Sequence, residues 1–298
     1  MNKKAVFSVV FSGILWGIIT IFIKKLSANN LDAMQISLIR MIVATPVFAI
    51  FLLIKDKSKF KIKLKDLWIF LGTGIISIVI FNTCYFYTMI HSEASVAVVL
   101  LYTSPVFIMI LSAILFKEKI TVRKIIALIL TFIGCIFTAG LIGGTHTIKP
   151  LILCTGLCSG LAYGLYTIFG RVALKKYDTL TVTVYTFIFG LIGSLFVGKP
   201  VETVKEISAQ PSLILWCLGI GFFCTVLPYF FYTWGLQRME SGKAAILVAV
   251  EPLVGSALGM IFYNEICSVA KIFGIAMILA AIVILNLPVK SKNSSLTE

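Results

Sequence analysis

The feature that most constrains the fold of this chain is a series of ten apolar segments that recur along its whole length. The hydrocarbon core of a bilayer is about 30 Å thick, and an α-helix needs about 20 apolar residues to cross it. Only helices or a closed barrel can pair their backbone groups inside lipid, and the continuous runs favour helices. We therefore predict an all-α integral membrane protein with ten transmembrane helices, near residues 5–23, 33–54, 67–88, 94–116, 124–142, 151–170, 179–198, 212–236, 243–263 and 268–287.

The distribution of charge supports this interpretation. Charged residues make up 13% of the chain, about half the share that is usual in a soluble domain. The net charge of +14 comes from basic residues in short loops between apolar segments, which argues against a nucleic-acid partner. With the N-terminus in the cytoplasm, 19 Lys and Arg residues lie on the cytoplasmic side and 6 on the other, with Arg40 inside a helix. Basic residues accumulate in cytoplasmic loops, so we expect a multi-pass protein of the cytoplasmic membrane with both termini cytoplasmic.

An internal repeat divides the chain into two halves. An offset of 147 residues pairs positions in three helices without a gap: Ser12–Gly17 with Ser159–Gly164, Tyr85 with Tyr232, Pro105 with Pro252, and Glu118 with Glu265. A unit of five helices has an odd number of crossings, so its copy enters the membrane upside down. Inverted repeats are typical of alternating-access transporters. We predict two inverted five-helix repeats, at residues 1–142 and 148–287, followed by a polar cytoplasmic tail at 288–298.

Several of these residues resemble the motifs of a known family. They are Trp16-Gly17 with Lys24, Arg40, Pro105 with Phe116-Lys117-Glu118, and Glu251-Pro252 with Tyr263-Asn264-Glu265. This set is similar to the opening, second-helix and closing motifs of the EamA-type family of the drug/metabolite transporter superfamily. The resemblance implies ten helices around a central cavity and secondary transport of small organic molecules. The second half departs from the pattern, because Tyr163 and Phe187 stand where the family has tryptophan and arginine.

Two ionisable residues lie inside apolar segments. Glu251 is near the middle of the ninth segment, where a charge costs roughly 3 kcal/mol or more and therefore faces a cavity or a partner. We interpret it as a group that binds a substrate or a coupling proton, with a helix-packing carboxyl as the alternative. Arg40 can pair with Glu251, or it can reach the membrane interface along its long stem.

Aromatic residues from both halves form the second candidate feature. Ring faces attract cations, and they do so more strongly once water is removed. An interfacial belt or packing against lipid is the alternative. Pro105 and Pro252 interrupt their segments as hinges or as fixed kinks. The predicted substrate-binding residues are Trp16, Asn82, Tyr85, Tyr163, Tyr166, Tyr229, Tyr232 and Glu251.

These residues favour transport over catalysis. The alternative function is a membrane enzyme that acts on lipid-linked substrates, which would need paired acids, a metal cluster or a nucleophile with a base. None of these patterns occurs in the sequence, so we expect no enzyme activity, no cofactor and no metal. We interpret the seven cysteines as buried, small apolar side chains. The predicted substrate is an amino acid or a choline-like amine, with a proton or another ion as a further partner. A monomer is compatible with the sequence.

Overall fold

The computed structural model describes residues 2–92, 94–138, 149–263 and 268–286. Helices occur in the described part of each predicted apolar segment, and no β-strand occurs among these residues. The predicted tail at 288–298 and the motif residues Asn264 and Glu265 lie outside the described residues. The all-helical architecture predicted from the apolar segments is confirmed.

Most of the described chain is α-helical, and two runs contain a π-helical stretch. The π-helical stretches are π1 (Gly72–Ile80) and π2 (Phe222–Val226). Two 3-10 helices, Lys57–Phe60 and Leu64–Asp66, lie in the first long loop. The α-helices are α1 (Lys3–Ser27), α2 (Ala33–Lys55), α3 (Leu67–Leu71), α4 (Phe81–His91), α5 (Ala94–Leu101), α6 (Ser104–Phe116), α7 (Val122–Thr138), α8 (Pro150–Ala173), α9 (Thr179–Val197), α10 (Pro200–Ala209), α11 (Leu213–Gly221), α12 (Leu227–Leu236), α13 (Ser241–Leu247), α14 (Val250–Tyr263) and α15 (Val269–Asn286).

Within the described ranges, eight helical segments are long and apolar enough to cross a membrane, and Val269–Leu285 is a shorter apolar helix. Many large apolar side chains lie on the outside of these helices; Phe196 is 86% exposed and Ile54 is 79% exposed. Such a surface is unfavourable in water and favourable against lipid tails. The chain is therefore a multi-pass membrane protein.

Carboxylates in the loops define where two of the helices begin. Asp32 caps α2 by accepting hydrogen bonds from the backbone N–H groups of Met34 and Gln35. Asp178 caps α9, and its carboxylate lies 2.7 Å from Lys59 Nζ of the first long loop. Burial raises the pKa of Asp178, but its hydrogen bonds to Lys59 and Thr181 together lower the pKa by more. The pKa of Asp178 therefore lies below its usual value. The pair therefore ties the first long loop to the start of α9.

Two of the predicted helices are broken near their middle. The breaks fall between α5 and α6 and between α13 and α14. Glycine faces of α1 and α8 pack directly onto them: a Cβ atom on Gly13 would lie 2.8 Å from the Val248 carbonyl oxygen, and one on Gly160 would lie 2.8 Å from that of Leu100. Any side chain at these two positions would force the helices apart.

The remaining contacts assemble the helices around one centre. Helix α1 packs against α12 and α14, while α8 packs against α4, π1 and α6. Helix α2 pairs with α9, and α7 pairs with α15. The largest buried cluster lies where α1, α2, α8, α9 and α12 meet, and it contains Trp16, Tyr166, Phe187, Tyr229 and Tyr232.

Candidate functional site

Four aromatic side chains meet at the centre of the helices: Trp16 of α1, Tyr166 of α8, and Tyr229 and Tyr232 of α12. We call them the central aromatic cluster. The Trp16 ring lies 5.2 Å from that of Tyr229, edge to face, and 5.5 Å from that of Tyr232. Tyr166 and Tyr229 are also 5.2 Å apart and perpendicular. Such edge-to-face pairs each contribute about 0.5–1.5 kcal/mol beyond the area that they bury.

Two hydrogen bonds between hydroxyl groups hold Tyr166 and Tyr232 in place. Tyr166 Oη lies 2.7 Å from Thr233 Oγ1, and Tyr232 Oη lies 2.7 Å from Thr167 Oγ1. The two Tyr-Thr dipeptides, one in α8 and one in α12, therefore bond to each other reciprocally. Sequence reasoning missed both threonines. The only signal was the repeated dipeptide, which also occurs at Tyr87, Tyr102 and Tyr185 and is therefore unspecific.

A small cavity lies within the central aromatic cluster. Its volume is about 10 Å³, which is room for about one water molecule. A small organic molecule cannot fit into a cavity of this size. The lining consists of Trp16, Ser77, Tyr163, Tyr166, Thr167, Tyr229 and Tyr232.

Glu251 lies beside this cluster, in the first turn of α14 just after the helix break. The hydroxyl groups of Tyr102 and Tyr163 lie near its carboxylate, and Arg40 is the nearby positive charge. Tyr102 lies at the break between α5 and α6 and is 6% exposed. Sequence reasoning missed Tyr102, because an apolar run does not reveal where a helix breaks.

The Arg40 guanidinium is bonded to a buried side chain of another helix. Its Nε donates a hydrogen bond of 2.9 Å to Thr225 Oγ1, and Thr225 is fully buried in π2. The guanidinium also interacts with Tyr229 of the central aromatic cluster and with the charge of Glu251. Arg40 and Glu251 therefore both lie near the central aromatic cluster.

The other predicted site residues are placed differently. Tyr85 stacks at a tilt on Phe81, whose ring also contacts Tyr163 at 5.3 Å. The Tyr85 hydroxyl lies close enough to Glu251 to interact electrostatically with its carboxylate. Asn82 is buried and donates a hydrogen bond of 2.6 Å to Ser37 Oγ, which joins α4 to α2. One N–H of the amide is therefore used in a contact between helices.

Pro105 and Pro252 stand in the first turns of α6 and α14, each directly after a helix break. A proline is favourable there, since the first turn of a helix has N–H groups without intrahelical partners. The break precedes the proline in both cases. The prolines thus begin new helices and do not bend continuous ones.

A buried charge network joins the two halves at one end of the helices. Glu118 accepts hydrogen bonds from the backbone N–H groups of Ser241 (2.7 Å) and Gly242 (3.2 Å), so it caps α13. Lys124 is 2% exposed and lies 2.8 Å from Glu240. Burial raises the pKa of Glu240, but Lys124 and Lys243 together lower the pKa by more. The pKa of Glu240 therefore lies below its usual value. Glu118 therefore anchors the start of α13 to the first half of the chain.

Replacing Glu118 with glutamine should destabilise the protein. The amide keeps only one acceptor oxygen, so one buried N–H group of α13 loses its partner, at a cost of about 1–3 kcal/mol. We expect the apparent melting temperature to fall by roughly 2–6 °C. The control is Glu202→Gln, because the Glu202 side chain is 67% exposed and lies 4.0 Å from Lys199. Equal melting temperatures for the two variants would contradict the capping role.

Metal-binding and thiol chemistry have little support in the described part of the chain. No group of three His, Cys, Asp or Glu side chains could hold a metal ion among the described residues. Cys135, Cys217 and Cys224 are buried, as predicted, whereas Cys154 and Cys158 are exposed on α8. The prediction of burial is wrong for those two, since α8 turns this face outward.

Comparisons with known proteins match this architecture. The sequence profile of the EamA-like transporter family matches residues 3–140 and 150–287. Two proteins of Archaeoglobus fulgidus, each described as an uncharacterized transporter, are 26% and 25% identical to the chain; the alignments cover 90% and 93% of it and 94% of each relative. An uncharacterized transporter of Clostridium kluyveri is 24% identical over 95% of the chain and 93% of its own length. A crystal structure of 15% identity superposes with a TM-score of 0.79 and covers 96% of this chain and 97% of its own, which is a likeness of fold alone.

Proposed function

The chain belongs to the EamA-like transporter family, and on that basis we propose that it is a secondary transporter that moves a small organic amine across the cytoplasmic membrane by alternating access. The observation that carries the proposal is the meeting of Glu251 with aromatic side chains from both halves of the chain. Trp16 comes from the first half, and Tyr163, Tyr166, Tyr229 and Tyr232 come from the second. A site shared between two halves can open to either side when the halves rock against each other.

We further propose ten transmembrane helices in two inverted five-helix repeats. The support is that the structural features recur at the sequence offset of 147 residues. π1 overlaps π2 at this offset, and the break after Leu101 coincides with the break after Leu247 to within one residue. Helix contacts exchange in the same way, since α1 packs on α14 as α8 packs on α6, and α1 packs on α12 as α8 packs on α4. The family profile also matches the chain in two segments.

The tight packing at the centre supports alternating access. The central cavity of about 10 Å³ is too small for a metabolite, so we propose that the halves move apart in each transport event. The glycine contacts of α1 and α8 on the broken helices suit this motion, since surfaces without side chains have little to interlock.

The chemistry of the site favours a cationic or zwitterionic amine, such as an amino acid or a choline-like compound. A carboxylate supplies the opposite charge, and ring faces attract the ammonium group with about 0.5–2 kcal/mol per ring. An anionic substrate would meet Glu251 as a repulsive neighbour, with Arg40 to oppose it. A neutral sugar would need more free amide and carboxylate groups, and the Asn82 amide is already bonded to Ser37.

The test is uptake into proteoliposomes. Purified protein should accumulate or exchange radiolabelled amines from a set of amino acids and choline, and chromatography should recover them unchanged. Imposed proton and sodium gradients would identify the coupling ion. Conversion of the labelled compound would indicate an enzyme. The substrate class would be contradicted if no amine entered the proteoliposomes above the level of empty liposomes while anions did.

The topology gives a separate prediction. We propose that the loop at residues 55–66 is cytoplasmic and that α10 lies on the opposite side, because basic residues are concentrated in the first of these. In a cysteine-free background, Lys57→Cys should be protected from an impermeant maleimide added to intact cells, whereas Lys205→Cys should react. Both lysines are exposed, so accessibility within the protein is matched. Labelling of Lys57→Cys in intact cells would reverse the orientation.

A further inference from the structure

A second cavity lies on the outer surface, in a groove between α1 and α12. Its volume is about 320 Å³, and it is lined by Lys4, Phe7, Ser8, Phe230, Phe231 and Trp234. This volume is within the range of small-ligand pockets. Phe7 is 68% exposed at the rim of the groove. The groove is separate from the central aromatic cluster, and no step of the proposed transport uses it.

The floor of the groove is suited to hydrocarbon. The rings of Phe7 and Phe11 stack at 5.8 Å, and Phe11 meets Phe231 edge to face at 5.2 Å. The polar side chain on the floor, Ser8, already donates a hydrogen bond of 2.7 Å to the Phe231 carbonyl oxygen. A polar ligand would therefore find few partners there, whereas an acyl chain would bury apolar surface against fixed aromatic rings.

One end of the groove is basic. Lys4 stands in the first turn of α1, and Arg238 follows the end of α12. These ends are adjacent, because α12 packs closely on α1 where Gly235 meets Val9. The Arg238 guanidinium lies 3.9 Å from the centre of the Trp234 ring. Its hydrogen-bond acceptors, the Trp234 carbonyl and the Gln237 amide oxygen, are both neutral. Its positive charge is therefore still available to an anion.

We infer that this groove is a binding site for an anionic phospholipid. The acyl chain lies along Phe7, Phe230 and Phe231, and the phosphate lies at the basic end beside Lys4 and Arg238. Charge complementarity selects the anionic headgroup, since each basic residue near the surface favours an anionic lipid by about fivefold. A zwitterionic lipid carries a cationic group beside its phosphate, which offsets the same attraction.

Trp234 provides a reporter inside the groove. Trp16, Trp68 and Trp216 are replaced by phenylalanine, and the protein is reconstituted in vesicles that contain either phosphatidylglycerol or phosphatidylcholine with brominated chains, which quench nearby indoles. From the quenching at matched mole fractions, we expect phosphatidylglycerol to bind at least about fivefold more strongly than phosphatidylcholine. High salt should reduce this preference.

Charge variants test the basic end. In the Trp234 reporter, Lys4→Gln with Arg238→Gln should abolish the preference for phosphatidylglycerol. Lys4→Gln alone should reduce this preference several-fold, and it serves as the test where the double variant does not fold. Lys55→Gln with Lys57→Gln, two exposed lysines at the end of α2 and the start of the first long loop, should leave the preference unchanged. Equal quenching by both lipids, a preference that survives Lys4→Gln and the double variant, or no quenching by either lipid would each overturn the inference.

Discussion

Replacing Glu251 with glutamine is expected to reduce amine transport roughly tenfold to a hundredfold while the protein stays folded. Glutamine has nearly the same shape, and its amide can still accept a hydrogen bond from Tyr102 or Tyr163, which face the carboxylate in the native protein. What disappears is the negative charge. Hydrogen bonds to charged groups contribute about 1.5–3 kcal/mol, and an ammonium substrate would lose that contribution in binding and in transport.

Uptake into proteoliposomes at several pH values is the measurement, together with the elution profile and melting temperature of the purified variant. Glu202→Gln is the control, because it removes an exposed carboxylate far from the centre. Tyr163→Phe separates the hydroxyl from the charge: it removes one hydrogen-bonding group and leaves the carboxylate, so its effect on uptake should be smaller. Native uptake by Glu251→Gln at every pH would identify Glu251 as a helix-packing carboxyl.

The second large effect is expected at Trp16. If its ring face attracts the ammonium group, Trp16→Phe should lower the affinity for amines only a few-fold, because phenylalanine keeps an aromatic face. Trp16→Ala should lower it roughly tenfold or more, since it removes an interaction of about 0.5–2 kcal/mol and loosens the packing on Tyr229 and Tyr232. Affinity is measured as the ligand-dependent rise in melting temperature.

Because Trp16→Ala also opens a cavity at a site that is 7% exposed, it carries a folding cost of about 3–5 kcal/mol. Trp16→Leu resolves this problem, since leucine fills part of the space without a ring. The comparison between Trp16→Leu and Trp16→Phe then depends on aromaticity more than on volume. Trp216→Ala is the matched control, because Trp216 packs on Phe22 away from the central aromatic cluster. Two results would refute aromatic recognition of an ammonium group. One is that anions raise the melting temperature of the protein and amines do not. The other is that Trp16→Leu and Trp16→Phe lower the affinity for amines equally.

The sequence by itself determined the class of the protein and its order of helices. Apolar runs long enough to span a bilayer have few alternatives to helices, because unpaired backbone groups in lipid are too costly. The repeat offset identified the residues that correspond between the halves, and it paired Trp16 with Tyr163 and Tyr85 with Tyr232 before any contact was known. The cost of a charge in lipid also indicated that Glu251 needs a partner or a cavity.

Only the tertiary structure decided which side chains meet. The helices are apolar on nearly all sides, so the periodicity that marks the inner face of a soluble helix is too weak to orient them. Rotation about each helix axis is then set by packing: glycine contacts on the broken helices, and the reciprocal bonds of Tyr166 and Tyr232 with their threonines. This is why Tyr102 beside Glu251 was missed and why Asn82, predicted to bind substrate, is bonded to Ser37. A side chain's partner depends on the angle between helices, and that angle is a property of the assembled bundle.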